Sequence, residues 1–340
     1  MRTSNCFLAL AIARSSGKRI PVTRSVAGLL LCTIAATATA QIQTGDRAKR
    51  GLAATDFPRA KQLEPGVYSY EALRAGDPGG QMTTVSLIVI TNDGVLVADG
   101  QGNVDQTREM VSWIAKTTNQ PIKYVVICSD HGDHTGGNAA FPAGATFIAH
   151  PNSKKVLDAA GRPPLPTETV AHRRVIRMGD TDIEILFLGR AHTGDDLSVY
   201  LPKQKVLFMS EAYLHRIFPA MRSAYPTEWV QTVKNAQTMD AKWFVPGHGF
   251  VDDAPTLKSE LVVYRNAMEK VIAEAKRLHD AKVPCAPAAP APVTAGTARP
   301  MCEAATKGSW GDLKDWTLFG SQLEVAIRKV YDELDGKLYF

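Results

Sequence analysis

Two imidazoles and a carboxylate, His131, Asp133 and His134, fall within four positions of the loop Ser129-Asp130-His131-Gly132-Asp133-His134-Thr135-Gly136-Gly137. Imidazole nitrogen together with carboxylate oxygen is a donor set for zinc, with iron and manganese as neighbours in hardness. A polar turn carrying two solvated histidines is the plain alternative. Against it stand two further histidines in loops of the same kind. His192 lies in Gly189-Arg190-Ala191-His192-Thr193-Gly194-Asp195-Asp196, and His248 in Pro246-Gly247-His248-Gly249. Either one alone is more often a hydrogen-bonded loop histidine than a ligand, so their weight comes from occurring together. His150, His172 and His279 lack such company and read as structural or exposed.

These loops need a scaffold that brings them to one place. Each follows an apolar run: residues 122–128, 183–188 and 243–245 read as strands. Upstream, residues 66–73 and 85–90 read the same way, and Asn92-Asp93-Gly94 turns the second into residues 95–98 as a hairpin. Residues 197–201 and 205–209 form another pair, after which Ser210-Glu211 breaks the apolar run. Helical spacing marks 104–118, a short 152–160 with an Asn cap, 227–240 with Thr227 as cap, the long charged 255–281, and 312–335. Strands and helices in alternation, with polar loops after strands, predict an α/β layered domain.

The motif Ser129-x-His131-x-Asp133-His134 resembles the His-x-His-x-Asp-His signature of the metallo-β-lactamase-fold hydrolases, with serine where that family normally has its first histidine. Ala191-His192-Thr193-Gly194 and Pro246-Gly247-His248 match its later histidine contexts. The resemblance covers roughly residues 66–251. It implies an αββα metallo-β-lactamase-like sandwich with metals at one sheet edge, to which this chain adds C-terminal helices. It implies an intact metal site of Asp133, His134 and His248, and a partner site keeping His131 and His192, with Ser129 a poor ligand. Glu211 stands where the broader family often has a bridging Asp. One methylene longer, it is either a ligand or a group that orients a histidine.

The cofactor this implies is Zn2+, with one tight site and the second weak or absent. The activity implied is a zinc-dependent hydrolase using a metal-bound hydroxide on a carbonyl-type substrate: a lactam, lactone or ester. Asp133 is then the catalytic residue that orients the attacking water or takes its proton. Two alternatives stay open: an iron-dependent oxygen- or sulfur-transfer enzyme on the same fold, and a non-catalytic metal-binding protein. The segment 213–229 mixes aromatic with basic residues and can supply an apolar wall with a cationic anchor for a carboxylate. Ser129, His215, Arg216, Arg222 and Tyr225 are accordingly the candidate substrate-binding residues. Aromatics packed on the core with solvated arginines are the equal alternative.

Composition narrows the partners. Hydrophobic residues make up 45% of the 340 and charged ones 21%, ordinary for a globular enzyme. The formal charge of +5 resides in residues 1–40, which hold Arg2, Arg14, Lys18, Arg19 and Arg24 and no acidic side chain; the remainder balances 34 Lys and Arg against 34 Asp and Glu. A neutral remainder exerts no electrostatic pull on nucleic acid; the small-molecule substrate expected as partner is what the resemblance implies.

Residues 1–40 read as a signal peptide. Their basic part ends at Arg24, residues 25–37 are small and apolar, and Ala38-Thr39-Ala40 has the small-x-small cleavage pattern. The apolar run is short for a membrane span, so no stable membrane insertion is expected after cleavage, with an uncleaved anchor as the competing reading. The expected location is periplasmic or secreted. There Cys285 and Cys302, flanking a Pro/Ala-rich loop at 283–300, can pair as a disulfide, free thiols being the alternative, while Cys128 reads as a buried small hydrophobe. The expected organisation is a signal peptide (1–40), a loose lead-in (41–64), a metallo-β-lactamase-like domain (65–255), and C-terminal helices with the Pro/Ala-rich loop (256–340). N-terminal sequencing of the exported protein is expected to begin near Gln41; a cytoplasmic protein retaining Met1 overturns the export reading.

Overall fold

The computed structural model describes residues 42–77, 79–161, 163–285 and 302–338, so residues 1–40, read above as a signal peptide, and most of residues 283–300 lie outside the described residues. The first half opens with four strands that pair antiparallel in succession: β1 (Arg59–Glu64), β2 (Val67–Leu73), β3 (Thr83–Thr91) and β4 (Gly94–Ala98). The Asn-Asp-Gly turn closes the β3–β4 hairpin as expected. Helix α1 (Val104–Thr117) follows, its first turn capped by the Asn103 side chain, which accepts from the Gln106 N–H at 2.9 Å. Then come β5 (Ile122–Ile127), the single turn α2 (Gly132–Thr135), β6 (Thr146–Ala149), α3 (Pro151–Ala160) and β7 (Glu168–Thr169), with β5, β6 and β7 added in parallel. His150 caps α3 in place of the expected Asn152, because Pro151 already has the fixed φ of a first helical residue.

The second half is an antiparallel run of β8 (Arg173–Met178), β9 (Thr181–Leu186), β10 (Ser198–Leu201) and β11 (Val206–Leu214). Helix α4 (Pro226–Gln237) crosses over to β12 (Trp243–His248), which lies parallel to β11. Three helices complete the chain: α5 (Ala254–Asp280), α6 (Glu303–Lys307) and α7 (Phe319–Leu334). The strand order is β7-β6-β5-β4-β3-β12-β11-β10-β9-β8, with β2 and β1 continuing from β3. The strands of the two halves are joined in one sheet where β12 pairs with β3, at His248 opposite Thr84.

Period-two alternation builds the layers. Val95 and Val97 of β4, with Val125 and Ile127 of β5, turn outward onto Met110 and Ile114 of α1 and Leu157 of α3. Leu96, Ala98 and Val126 turn inward, into a core shared with Ile185, Val199 and Phe208 of the second half; the same core continues to Trp229 of α4, Leu261 of α5 and Ile327 of α7. Helix, sheet, sheet and helix follow one another, the αββα sandwich expected from the motif. Cys128 is fully buried in this core, and Cys285 is joined to Cys302 by a disulfide.

Helix α4 begins at Pro226 with Tyr225 at its N-cap, so Thr227 is not the expected cap and its hydroxyl donates to Glu333 at 2.9 Å instead. Two longer stretches also differ from the sequence reading. Residues 42–64 are held in place: β1 pairs with β2, Arg50 meets Asp252 at 2.7 Å with both side chains buried, and Lys61 donates to the Val251 and Asp252 carbonyls. Ion pairs and backbone bonds leave no apolar periodicity to read. Residues 312–335 form two pieces, a 3-10 turn over Gly311–Asp315 and then α7. Between them Leu318 takes φ +67°, and Thr317 pairs in parallel with Ile217 while accepting from the Phe218 N–H at 2.8 Å.

His215 and Arg216 follow β11 into a buried charge cluster. His215 is wholly buried and donates from Nδ1 to the Phe250 carbonyl at 2.7 Å; Arg216 grips the Glu260 carboxylate with Nε and Nη2, the latter at 2.9 Å. Burial alone would raise the Glu260 carboxyl, but the hydrogen-bonded Arg216 guanidinium, with His215 Nε2 3.7 Å away, holds it down at about 2. A depressed carboxylate contributes stability in full above its ordinary value of 4.5, and that stability disappears as pH falls through about 2. Glu260→Gln is therefore expected to cost on the order of 3 kcal/mol at pH 7, with the difference from wild type shrinking between pH 4.5 and pH 2. Denaturant midpoints at the two ends of that window check it.

Candidate metal centre

The narrow seam between the two halves is where the donor side chains collect. Strand β5 ends at Ile127, and the loop after it turns straight into α2, which carries Asp133 and His134, with His131 as its N-cap. Glu211 reaches the same place because β11 bulges at Ser210, whose φ of +47° is accompanied by a slip in the register against β12. The bulge also sets the identity of Gly247. A Cβ there would lie 2.5 Å from the Ser210 carbonyl carbon, so only glycine lets β12 run close enough to deliver His248.

The donors form two groups that share Glu211: Asp133, His134, His248 and Glu211, and His131, His192 and Glu211, with the donor atoms of each group within 4.8 Å of one another. In the first, His248 Nε2 lies 3.2 Å from both His134 Nε2 and Asp133 Oδ2, and Glu211 Oε1 lies 3.3 Å from His134 Nε2 and 3.5 Å from His248 Nε2. In the second, His131 Nδ1 lies 3.2 Å from His192 Nε2 and 3.3 Å from Glu211 Oε1, and Glu211 Oε2 is 2.8 Å from His192 Nε2. Four ligands placed tetrahedrally at 2.0–2.1 Å from one ion sit about 3.3 Å from each other. The spacings of both groups scatter around that edge length, so the residues present fit a divalent metal.

Three neighbours fix the orientation of these donors. The Asp99 carboxylate lies 3.1 Å from His134 Nδ1 and also accepts from the Cys128 N–H at 2.7 Å and from the Ser210 hydroxyl. The Thr83 carbonyl accepts from His248 Nδ1 at 2.7 Å. Arg74 Nε donates to Asp133 Oδ2 at 2.5 Å. His134 and His248 thereby offer Nε2 to the centre. The electrostatics follow from three buried carboxylates. Burial works against the charge on Glu211, yet His192, His131 and His134 hold it well below the carboxylate range; Asp133 is also held low against its burial, by His248 and His134. Burial likewise opposes the charge on His134 and His248, but Asp99, Glu211 and Asp133 push His134 upward and Asp133 and Glu211 push His248 upward, whereas His192 is lowered by its burial.

The sequence pattern of the metallo-beta-lactamase superfamily matches residues 78–248, half of the chain, and so spans every one of these donors. The chain belongs to the metallo-beta-lactamase superfamily. Metallo-beta-lactamase type 2 of Bacteroides fragilis is 24% identical over 208 residues, covering 59% of this chain and 83% of that protein. The enzyme of the same name from Bacillus sp. (strain 170) is 24% identical over 185 residues, 52% of this chain and 70% of that one. Among solved structures, a metallo-beta-lactamase from Pontibacter korlensis superposes with a TM-score of 0.55 at 24% identity, over 61% of this chain and 98% of its own. The DIM-1 metallo-beta-lactamase gives 0.52 at 22% identity, over 61% and 96%. As a member of this superfamily the chain is a metal-dependent hydrolase.

The metallo-hydrolase centre opens on a cleft of about 470 Å³, bounded by Arg74, Met82, His131, Asp133, Leu214, Ile217, Arg222, Leu318 and Gln322 among others. Of the five candidate substrate-binding residues only Arg222 lines it. Ser129 is buried beneath the loop, its hydroxyl accepting from the His131 N–H at 3.3 Å. His215 and Arg216 point away into the Glu260 cluster, because Arg216 itself takes a left-handed φ of +57° and turns the chain aside. Tyr225 is buried at the head of α4 with the Arg190 guanidinium 4.1 Å from its ring centre. Asp99 and Arg74 went unnoticed in the sequence; the only local signal was a charged residue immediately after a strand, at the ends of β4 and β2. Asp99→Asn keeps the shape and the tolerance for a φ of +63° but removes the charge behind His134. It is expected to weaken metal binding by about 10–100-fold, read by chelator competition, with little change in melting temperature.

Proposed function

We propose that this chain is an exported zinc-dependent hydrolase that opens a carbonyl bond (lactam, lactone or ester) in a small molecule. The observation that carries the reading is Glu211, buried between two donor groups of tetrahedral spacing at the floor of a half-apolar cleft. Export is supported by the signal-like residues 1–40 and by the disulfide, a bond of oxidising compartments. Among the described residues no helix is long and apolar enough to cross a membrane. Residues 65–255 then form the hydrolase domain, with the segment after 255 as its C-terminal cover.

In this assignment Asp133, His134, His248 and Glu211 would hold the tighter zinc. His131, His192 and Glu211 Oε2 offer a second position that is weaker, since His131 is a third exposed and Ser129 replaces an imidazole. Zinc, when bound, supplies Lewis acidity and a water acidified from a pKa near 16 to about 7. Asp133, kept ionised and aimed by Arg74 and His248, orients the attacking water and accepts its proton. Arg222 lies exposed at the rim with no ion pair among the described residues, which suits a carboxylate on the substrate.

Metal analysis of the purified protein is expected to find one zinc per chain that survives a mild chelator and a second that does not, and Ser129→His is expected to raise the retained count toward two. Asp133→Ala is expected to lower turnover by about 10²–10⁴-fold while the protein stays folded. A zinc-loaded protein inert toward a panel of lactams, lactones and esters would falsify the hydrolytic reading. Two chelator-resistant ions in wild type would overturn the ranking of the sites.

A further inference from the structure

The wall of the cleft facing the metal donors comes from an unexpected part of the chain. Leu318 and Gln322 line it, although they lie some 70 residues beyond the matched superfamily region, after the disulfide and the Pro/Ala-rich loop. Their arrival is built into the fold. The segment Trp316–Phe319 is stitched to the strand exit after β11: Thr317 pairs with Ile217, its carbonyl accepts from Phe218 N–H, and Phe319 packs edge-on against Phe218 with ring centres 5.3 Å apart. Trp316 beneath stacks on Tyr264 of α5.

At the head of α7, Leu318 takes φ +67°, a conformation that costs a branched side chain roughly 1–2 kcal/mol and that asparagine or glycine adopts with less strain. A half-exposed leucine is kept there even so, and Gln322 stands one helical turn on, on the same face. The Gln322 carboxamide makes no hydrogen bond among the described residues, so its polar end is available to the cleft. Strain held at a cleft-lining position, in a segment tied down on both sides, is how a binding surface is kept in place.

We propose that Leu318, with Gln322 beside it, is a specificity-determining residue of this hydrolase: it forms, with Leu214 and Ile217, the seat for an apolar substituent on the acyl side of the substrate. The chemical class selected is an acyl group with a medium-length apolar chain, as opposed to an acetyl or other minimal acyl group. This rests on the hydrolytic reading for the word substrate, but the seat itself can be tested by binding alone.

The experiment titrates straight-chain carboxylates, acetate to octanoate, into the zinc-loaded full-length protein by calorimetry, for wild type, Leu318→Gly and Leu318→Asn. Both replacements accept the left-handed backbone, so neither adds strain. A methylene buried against the wall strengthens binding about 4-fold. Wild-type affinity is therefore expected to rise with chain length. Both variants should lose about 10-fold on octanoate and less than 2-fold on acetate, with zinc content unchanged. Equal losses on acetate and octanoate, or no loss on either, overturn the proposal. If the length dependence follows Leu318 while no ester or lactone is turned over, the seat stands and the hydrolytic reading falls; turnover with a flat length dependence has the opposite meaning.

Discussion

The Glu211 carboxylate is the constraint around which the rest of this protein is arranged. It is almost wholly buried, and an isolated buried carboxylate costs far more than a domain's net stability can absorb. It survives as an anion because imidazoles from three separate loops converge on its two oxygens. The donors stand after β5, after β9 and at the end of β12, strands from both halves of the sheet. The carboxylate therefore acts across the seam as well as within the site. Its satisfaction requires that the two halves be brought together in the register where His248 lies opposite Thr84.

Holding that register has a visible backbone cost. Asp99 and Ser210 both take left-handed φ values, and they are hydrogen-bonded to each other between the strand ends that carry the donors. Neither is glycine, because both side chains are needed where they stand. The Asp99 carboxylate backs His134, and the Ser210 hydroxyl donates to Asp99. Gly247 lies against Ser210 with no room for a Cβ, so strain at the serine and the bare glycine are two sides of one close approach. Strain of about 1–3 kcal/mol per residue persists where surrounding packing over-determines the conformation, and both positions are fully buried.

What the sequence revealed, and what it concealed, divides along physical lines. The α/β layering was legible because period-two burial and the Asn-Asp-Gly turn are local signals, and the αββα order followed from the resemblance carried by the histidine motif. His131, Asp133, His134, His192 and His248 were legible because each sits in a glycine-rich loop following an apolar strand. Glu211 was only half legible: its position after an apolar run was clear, but the Ser210 bulge that aims it depends on Gly247, 37 positions on. Asp99 and Arg74 were not legible, since a lone charged residue at a strand end has many uses. The failure at 213–229 has another cause. Aromatic and basic residues in a segment of no clear period fit a binding loop and a buried charge cluster equally well, and only the partners Glu260 and Asp252 on and before α5 decide between them. The break at Leu318 escaped for the same reason. Helical spacing runs through it, and the pairing with Ile217 that stops the helix lies 100 residues upstream.

Ser129 and Glu211 make most sense when taken together. In a site held by three imidazoles, affinity comes from donor number, and a missing histidine would simply weaken it. Here the loss at Ser129 is set against a carboxylate whose extra methylene lets Oε1 face the Asp133 group while Oε2 meets His192. A neutral donor has been exchanged for a share in a charge. Against their burial, Asp99 behind His134, and Asp133 and Glu211 beside both His134 and His248, push these two imidazoles upward, so the same carboxylates that face the centre favour positive charge there. His192 is driven the other way by its burial, with Trp229 edge-on at 5.3 Å between ring centres. The donors that converge on one another here are the ones a divalent ion would draw together, so the geometry would be prepared in advance for it. The side of the centre that has Ser129 in place of an imidazole would draw a cation chiefly through the buried anion, which belongs to both sides at once.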